Sequence, residues 1–471
     1  MRVMRLQTHL PTGWLALFVV GMLAGALRGA VLVIAISGLG PGGDLTTDPD
    51  SYRLIAETLA QADTFGIPRE DGSVDPTAFR PPLYPWLLSW FVRAGQLKPT
   101  VVAIVHTLLG ALTCVLVFSI TARLQSWPLR QGTADAGRWR PWLASLLVAL
   151  DPLLLQQSTL VMTETLATCL AALVWWSLIR VWGCDRGGTE KEKDTFPRYG
   201  SWLAGSAFAI AYLCRPVFIV WWGLCCLALG WRWWATRGVD RRWVRQRLIG
   251  CLIPVLLVVA CWTVRNQRVL GKAYWATSHG GYTLLLGNNP SFYAYLGNTS
   301  IGAAGFWGEP WDDQAFQQEW QARQQAAIVM RANRGDGDLE VSLDAAASAW
   351  AKATIAQQPT MFLRACWVRI ERLWSPIPRI GRTVGAVSLG LGCYYSLLLA
   401  CCVWSLLSRL ASWASHPLWI GGLLLLALTL VHTVYWSNVR MRAPATPVIV
   451  IAACLCSGWN RKAGSLSRES E

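Results

Sequence analysis

Charge is what this chain has least of: Asp, Glu, Lys and Arg make up 15% of its 471 residues, against about 25% in soluble globular proteins. With 54% hydrophobic residues beside so little charge, an ordinary soluble domain is excluded, and the excess apolar surface calls for lipid. Paired cysteine motifs are missing too. None of the 14 cysteines forms a CxxC, which removes zinc and dithiol redox sites from consideration. Nearly all lie in apolar stretches, as Cys225, Cys226, Cys401, Cys402, Cys454 and Cys456 do, and read as small packing residues. Only Cys366 falls in a long external segment, so no disulfide framework is expected. HExxH, a phosphate-cradling glycine loop with its lysine, a dinucleotide fingerprint and a Ser–His–Asp pattern are all absent. So are fixed-period repeats and low-complexity tracts. The net charge of +15 does not point to nucleic acid, because the Lys and Arg sit between apolar runs rather than massed on one soluble face.

What is present is a series of apolar runs. The first, 14–36, follows Arg2 and Arg5 and exceeds the roughly 20 residues that cross a bilayer. It reads as an anchored span, since no small-x-small cleavage site follows an apolar core of leader length. Further candidates are 101–124, 142–154, 160–182, 202–214, 217–234, 248–264, 388–407, 418–436 and 444–459. Basic residues orient them. Arg2 and Arg5; Arg123, Arg130, Arg138 and Arg140; Arg180, Arg186, Lys191, Lys193 and Arg198; Arg232, Arg237, Arg241, Arg242, Arg245 and Arg247; and Arg461, Lys462 and Arg468 fall on alternate sides of successive spans. Both termini are thereby expected in the cytoplasm. Two long segments, 38–100 and 265–387, are expected on the opposite face, with short turns near Pro152, Arg215 and Arg440. The domain reading is a transmembrane catalytic module over 1–264 that includes the first outer loop (38–100), an outer-face loop region over 265–387, and C-terminal spans over 388–471. In the first loop, 51–62 has the pattern of an amphipathic helix, and the apolar run after Pro85 has about half the length of a span, so it should lie in the interface.

Three constellations on that outer face carry chemistry. In TDPDSY, Asp48 and Asp50 straddle a proline. An ionised carboxylate there suits a general base for a hydroxyl, and the plainer alternative is helix capping in a solvated loop. Glu164, in MTE beside an apolar helix, occupies a place where a charge costs on the order of 2.5–3.5 kcal/mol and is usually kept for function; pairing with an arginine is its structural alternative. Asp151 has the same burden, relieved if it caps the turn before Pro152. The third constellation is a set of outward arginines, Arg80, Arg215, Arg265, Arg440 and Arg442. Lone interfacial arginines often snorkel, but the orienting rule depletes arginine from this face, and guanidinium matches phosphate in a bidentate fork. Arg28, inside the first span, is expected to snorkel outward or to pair with Glu164 or Asp151. His106 and His432 read as satisfied core histidines; His279, in SHGGY, is open.

Taken in order, DPDSYRLIAETLA, FRPPLYPWLL, DPLLLQQSTLVMTETLATCL, AYLCRP, WTVRN with GGYTLLLGNNP, ATIAQQPTMFLRACWVRIERLW and RMRAP resemble the C-type superfamily of lipid-dependent membrane glycosyltransferases, in the branch related to protein mannosyltransferases and aminoarabinose transferases. The resemblance covers nearly the whole chain. It implies an all-α integral membrane protein, a bundle of about ten to thirteen transmembrane helices, each of spanning length, with interfacial helices and an outer-face loop region. It also implies a polyprenyl-phosphate-linked sugar donor, a glycan, lipid or protein acceptor, and membrane lipid as partners. Asp48 matches the catalytic carboxylate, Asp50 is its neighbour, and Glu164 matches a second acidic position. Arg80, Arg215 and Arg265 match positions near the lipid phosphate; Tyr84, Asn266, Asn288 and Arg440, in the same motifs, complete the expected substrate-binding set. Cys261 stands before Trp262 where the family often has Pro. A WWDYG-type signature is absent, which disfavours transfer of a preassembled glycan to Asn.

The expected reaction is inverting transfer at the extracytoplasmic face of the cell's inner membrane. Asp48 acts as base, arginines receive the departing lipid phosphate, and a divalent cation is open as a cofactor. Tyr282, Trp307 and Trp311 are candidates for stacking on sugar, although interfacial anchoring explains many tryptophans without substrate. Two rival classes, a flippase or transporter of lipid-linked sugar and a non-catalytic membrane scaffold, remain open. The first should show repeat symmetry and charges along a route through the bilayer, which are not evident.

Overall fold

The computed structural model describes residues 10–37, 45, 48, 50–95, 97–125, 138–183, 190–235, 239–299, 311–334, 338–377, 386–409 and 416–456. Trp307 and the orienting residues Arg2, Arg5, Arg130, Arg186, Arg237, Arg461, Lys462 and Arg468 lie outside them. In lipid the backbone must satisfy its own N–H and C=O groups, so apolar runs fold as helices. In chain order these begin with α1 (Leu10–Ile36). The first loop supplies α2 (Tyr52–Ala62), a small antiparallel hairpin of β1 (Gly66–Pro68) and β2 (Val74–Pro76), with Ile67 opposite Asp75, and α3 (Leu83–Arg93). There follow α4 (Pro99–Gln125), α5 (Arg140–Ala149), α6 (Pro152–Ser158), α7 (Glu164–Gly183), α8 (Glu190–Cys214), α9 (Phe218–Ala235) and α10 (Val239–Leu270). The second long segment folds as α11 (Gly280–Gly287), α12 (Pro290–Asn298), α13 (Gln314–Arg334), α14 (Leu339–Gln357) and α15 (Pro359–Trp374). The chain returns to the bundle through α16 (Ala386–Leu407), α17 (Leu418–Val434), a 3-10 turn (Val439–Ala445) and α18 (Thr446–Cys454).

The molecule is an all-α membrane bundle. Among the described residues six helices, α1, α4, α7, α9, α10 and α16, are long and apolar enough to cross a membrane, and Gly200–Cys214 and Leu418–Val434 are apolar but shorter. The remaining two expected spans are built from shorter pieces. Residues 142–154 break at Asp151, whose side chain accepts the Leu154 N–H at 3.0 Å and starts α6, with Pro152 at its first position. Residues 444–459 begin in the 3-10 turn, with Pro447 near the start of α18. Proline is tolerated there because the first N–H groups of a helix have no intrahelical partner. The helical stretch from Leu339 to Trp374 likewise divides at Pro359, which opens α15.

Burial ranks the helices. The spanning part of α7 is 83% buried and those of α1 and α10 are 22% buried, so α7 runs through the middle with α1 and α10 at the lipid-facing edge. Arg28 of α1 neither snorkels nor pairs with an acid. It is buried, and its Nη2 donates to the Val148 carbonyl at 2.9 Å, near the end of α5. Carbonyls of the last turn have no partner within their own helix. Gly110 of α4 leaves room for this side chain, since a Cβ there would run into Arg28 Cδ and Nε.

Carboxylates of α14 tie the helices after α10 to the first loop and to one another. Glu340 accepts the Ala78 N–H at 2.9 Å and the hydroxyls of Thr77 and Ser278; Asp344 accepts the Gly281 N–H at 2.6 Å and the Tyr274 hydroxyl at 3.0 Å. At the Gly205 position α8 and α10 approach so closely that a Cβ would strike the Gly250 carbonyl oxygen. Gly205→Val is therefore expected to lower stability by about 1–3 kcal/mol, the usual cost of overpacking. Thermal unfolding in detergent checks this, with Gly223→Ala, where an added Cβ meets nothing within 4 Å, as the control that leaves the midpoint unchanged.

Candidate active site

The first loop enters its helix through a tight turn. Asp48 Oδ1 accepts the Tyr52 N–H at 2.8 Å, and Oδ2 accepts those of Arg53 at 2.8 Å and Leu54 at 3.0 Å. Three of the four N–H groups that open a helix without partners are thus satisfied by one carboxylate, which also meets the positive end of the α2 dipole. The geometry requires Ser51 to take φ 61° and ψ 23°, a left-handed conformation costing an L-residue roughly 1–2 kcal/mol. Oδ1 takes only one of these bonds, so Asp48 retains accepting capacity.

Beside this turn lies a network of alternating charge. Arg80 donates through Nη2 to Asp50 Oδ1 at 2.8 Å and through Nε to the Asp50 carbonyl at 2.9 Å. Arg80 itself lies over the rings of Phe79, 4.4 Å to the centroid, and Tyr52, 5.6 Å. Glu164, at the first position of α7 and 1% exposed, receives Arg215 Nη2 on Oε1 at 2.8 Å, while Arg215 Nε donates to Thr163 Oγ1 at 3.0 Å. Arg440, from the 3-10 turn, joins the two halves. Its Nε stands 3.1 Å from Glu164 Oε1, an ion pair in which the N–H is not aimed for a hydrogen bond, and its Nη2 stands 3.9 Å from Asp50 Oδ2. Glu164 Oε2 has no protein donor. The arginine side chains remain 14% (Arg80), 15% (Arg215) and 28% (Arg440) exposed, enough to be reached by a ligand from outside.

Burial pushes the Tyr52 phenol up to about 12, against which the Arg80 guanidinium acts. Burial also pushes the Tyr84 phenol well up, and Tyr52, Glu164 and Asp48 add to the effect. Both tyrosines are therefore neutral donors at physiological pH. Among the described residues no three His, Cys, Asp or Glu converge as a metal set.

The structure brings together Asp50, Glu164, Arg80, Arg215 and Arg440, with Asp48 one turn of backbone away. It places the other expected substrate-binding residues in the framework. Arg265 donates to the carbonyls of Thr77 and Phe65 and to Asn266 Oδ1, tying α10 to the first loop. Asn266 is buried, with its amide on the Tyr274 carbonyl at 2.8 Å. Asn288 is buried as well. Its amide donates to the carbonyls of Leu284 and Val434, and its oxygen accepts Tyr293 Oη and Arg369 Nη1. Tyr84 is fully buried and its hydroxyl meets His106. Arg442 is buried and donates to the Ser375 carbonyl. Tyr282 and Trp311 pack in an aromatic cluster with Phe316, Trp320, Phe292 and Trp436. The residue that sequence reasoning missed is Tyr52, whose ring lies beneath Arg80; His106 is the satisfied core histidine it was read as, with both ring nitrogens bonded.

Glu164 holds two guanidinium groups, so Glu164→Ala leaves Arg215 without its ion-pair partner and Arg440 with only the longer contact to Asp50. Breaking a buried ion pair from one side costs about 3–5 kcal/mol, and a fall of that size in the stability of the detergent-solubilised protein is expected from denaturant unfolding. His279, packed edge-on against Phe79 at 4.6 Å and beside Tyr282 at 5.2 Å, gives a pH effect. Burial, with the Arg80 charge adding, pushes its imidazole down from 6.5 to about 3. The unfolded chain then takes up the proton first, so this contribution to stability is complete above pH 6.5 and is lost as pH falls from there towards 3. His279→Phe should flatten the acid limb of the melting-temperature profile.

No protein-family model matches the sequence, and a search of curated proteins finds no relative. Solved structures are similar in fold. The archaeal oligosaccharyltransferase AglB from Archaeoglobus fulgidus, in complex with an inhibitory peptide and a dolichol-phosphate, matches with a TM-score of 0.50 at 14% identity over 93% of this chain and 50% of that one. Its apo form matches with a TM-score of 0.51 at 13% identity, with the same shares of the two chains. ArnT from Cupriavidus metallidurans bound to undecaprenyl phosphate is similar at a TM-score of 0.40 and 12% identity, over 94% of this chain and 78% of that one. The chain thus spans about half the length of the oligosaccharyltransferase it matches, 50% of it. At such identities the likeness is one of fold: this chain has a fold similar to that of the archaeal oligosaccharyltransferase.

Proposed function

We propose that this protein is a membrane glycosyltransferase that moves a sugar from a polyprenyl-phosphate donor to an acceptor hydroxyl on a glycan, lipid or protein at the extracytoplasmic face. The observation that carries the reading is the three-arginine network held by Asp50 and Glu164 beside a carboxylate, Asp48, whose described partners are all backbone N–H groups. The fold match to an oligosaccharyltransferase in complex with a dolichol-phosphate supports it.

In the proposed reaction the acceptor oxygen attacks the anomeric carbon from the side opposite the phosphate, and configuration inverts. The O–H proton passes to Asp48. The bond from the anomeric carbon to the phosphate oxygen breaks, and its electron pair leaves with polyprenyl phosphate. Arg80 and Arg440 receive that charge: Arg440 stands only loosely against Asp50, at 3.9 Å, and a phosphate offering paired oxygens to its fork is the better partner. One prearranged charged donor of this kind contributes about 3–4 kcal/mol to the transition state. Glu164, with both Arg215 and Arg440 on one oxygen, has the role of gathering the arginines. Arg265, Asn266, Asn288 and Tyr84 act in this reading as framework. The domain reading, with catalysis in 1–264, is extended by Arg440, which brings the C-terminal part of the chain into the site.

The test is Asp48→Asn. Loss of a general base lowers turnover by about 10²–10⁴-fold, and the variant should express and melt within roughly 1 kcal/mol of the parent, since Asn is also a good helix cap. Mass spectrometry of envelope glycans and lipids from cells with the parent, the variant or neither identifies the sugar transferred. Unchanged transfer by Asp48→Asn would sink the assignment of the base, and identical glycan profiles with and without the protein would sink the activity.

A further inference from the structure

The column of side chains beneath the first loop carries a role that the transfer reading does not use. His106 lies in α4 and is fully buried. Its Nδ1 is 2.8 Å from the Ser158 carbonyl at the end of α6, and its Nε2 is 2.8 Å from the Tyr84 hydroxyl. A carbonyl oxygen only accepts. Nδ1 therefore carries the proton, Nε2 offers a lone pair, and Tyr84 must donate. The tautomer and the direction of the phenolic hydrogen are fixed together. A buried histidine with both nitrogens satisfied is by itself ordinary packing. What sets this one apart is where Tyr84 leads. Its ring meets Tyr52 edge-on, 5.4 Å between centroids and 81° between planes, and is nearly parallel to the imidazole at 23°. Tyr52 is the residue whose N–H binds Asp48 and whose ring lies beneath Arg80.

We infer that His106 and Tyr84 are positioning residues for the active site: the column Ser158, His106, Tyr84, Tyr52 pins the first turn of α2, and with it the Asp48 carboxylate, to the membrane bundle. The turn needs such a pin because it is strained at Ser51, and strained conformations persist only where surrounding structure over-determines them. Aromatic edge contact supplies lateral placement. The single hydrogen bond to His106 sets how deep the Tyr84 ring sits. None of the residues between Asp48 and His106 need touch substrate for the column to act.

The effect on turnover rests on the reading of Asp48 as base, and the test is arranged so that the two fail separately. Hydrogen exchange of the Tyr52, Arg53 and Leu54 amides, which donate to Asp48, reports the placement of the carboxylate whatever the protein does. In Tyr84→Phe, which keeps the ring and removes the hydroxyl, and in His106→Phe, these amides should exchange roughly ten-fold faster, as expected for a local opening, while the amides of α7 exchange as in the parent. His106→Gln, whose amide both accepts and donates, should restore protection. If the parent transfers sugar, Tyr84→Phe should lower kcat by roughly ten-fold with KM for the donor unchanged, since a small misplacement of a reacting group has effects of up to about 10²-fold. Unchanged exchange at 52–54 overturns the proposal. So does faster exchange spread evenly through α4, α6 and α7 with a lowered melting temperature, because the pair is then packing alone. Should the parent show no transfer, the exchange result still decides the positioning role.

Discussion

The site depends on one buried oxygen. Glu164 Oε1 holds Arg215 from the turn after α8 and Arg440 from the turn before α18, so a single carboxylate draws together segments separated by 276 positions of chain, from Glu164 to Arg440. A lone carboxylate at 1% exposure is costly to desolvate, and two guanidinium groups in the same low-dielectric place would repel each other; each is tolerable only because of the other. The burial of α7 follows from this requirement. A helix whose first residue must be screened from water by two arginines has to be surrounded by the elements that carry them, and α7 is packed against α8 and the Arg440 turn as well as α4. The membrane supplies no hydrophobic drive between helices, so a polar knot at the helix ends, together with close glycine contacts such as Gly205 on Gly250, sets their register.

The first loop poses a different problem. It has a hairpin of two three-residue strands and two short helices, too little apolar surface to fix its own position. Glu340 binds it through the Ala78 N–H and the Thr77 hydroxyl, Arg265 through carbonyls, and His106 through Tyr84, while Asp344 ties α14 to Tyr274 and Gly281. Each contact is directional, in keeping with a loop that must hold a charged group at a defined place. The buried groups of these clamps are mostly satisfied, which is the condition under which polar networks rigidify rather than loosen a structure.

The fold class was legible because it is written in long-range composition: runs of apolar residues of spanning length leave little choice of architecture. The motif residues Asp50, Arg80, Glu164, Arg215 and Arg440 were legible as chemistry, since a charge on an apolar helix or on the outer face costs enough to need a reason. Distinguishing the arginines was not possible from sequence. Arg265 and Arg442 stand in motifs as suggestive as those of Arg80 and Arg440, yet they spend their donors on carbonyls, and an arginine's partner depends on which helix end faces it. Arg28 shows the same limit: its bond to the Val148 carbonyl exists because α5 stops just beyond, a break created by Asp151 capping α6. Tyr84 and Asn288 read as substrate contacts within their motifs, but pairing across 22 residues, from Tyr84 to His106, or across 146, from Asn288 to Val434, leaves no local pattern.

The charge of the site also bears on the proposed chemistry. Asp48, Asp50 and Glu164 are matched by Arg80, Arg215 and Arg440, with Arg53 turned to the Leu45 carbonyl. In the proposed reaction a sugar phosphodiester would enter this balanced set as a monoanion, and the departing phosphate would gain one further charge as the sugar leaves. If the acceptor proton went to bulk water, the partly buried cluster would have to absorb that extra charge, at a cost that grows as the dielectric falls. If it goes to Asp48, one carboxylate is neutralised as one phosphate oxygen becomes charged, and the net charge of the site is the same before and after. In the proposed reaction negative charge would then move from Asp48 to the phosphate held by the arginines. An aspartate whose described partners are backbone amides alone, next to arginines shared loosely between two other carboxylates, is the arrangement such a transfer requires.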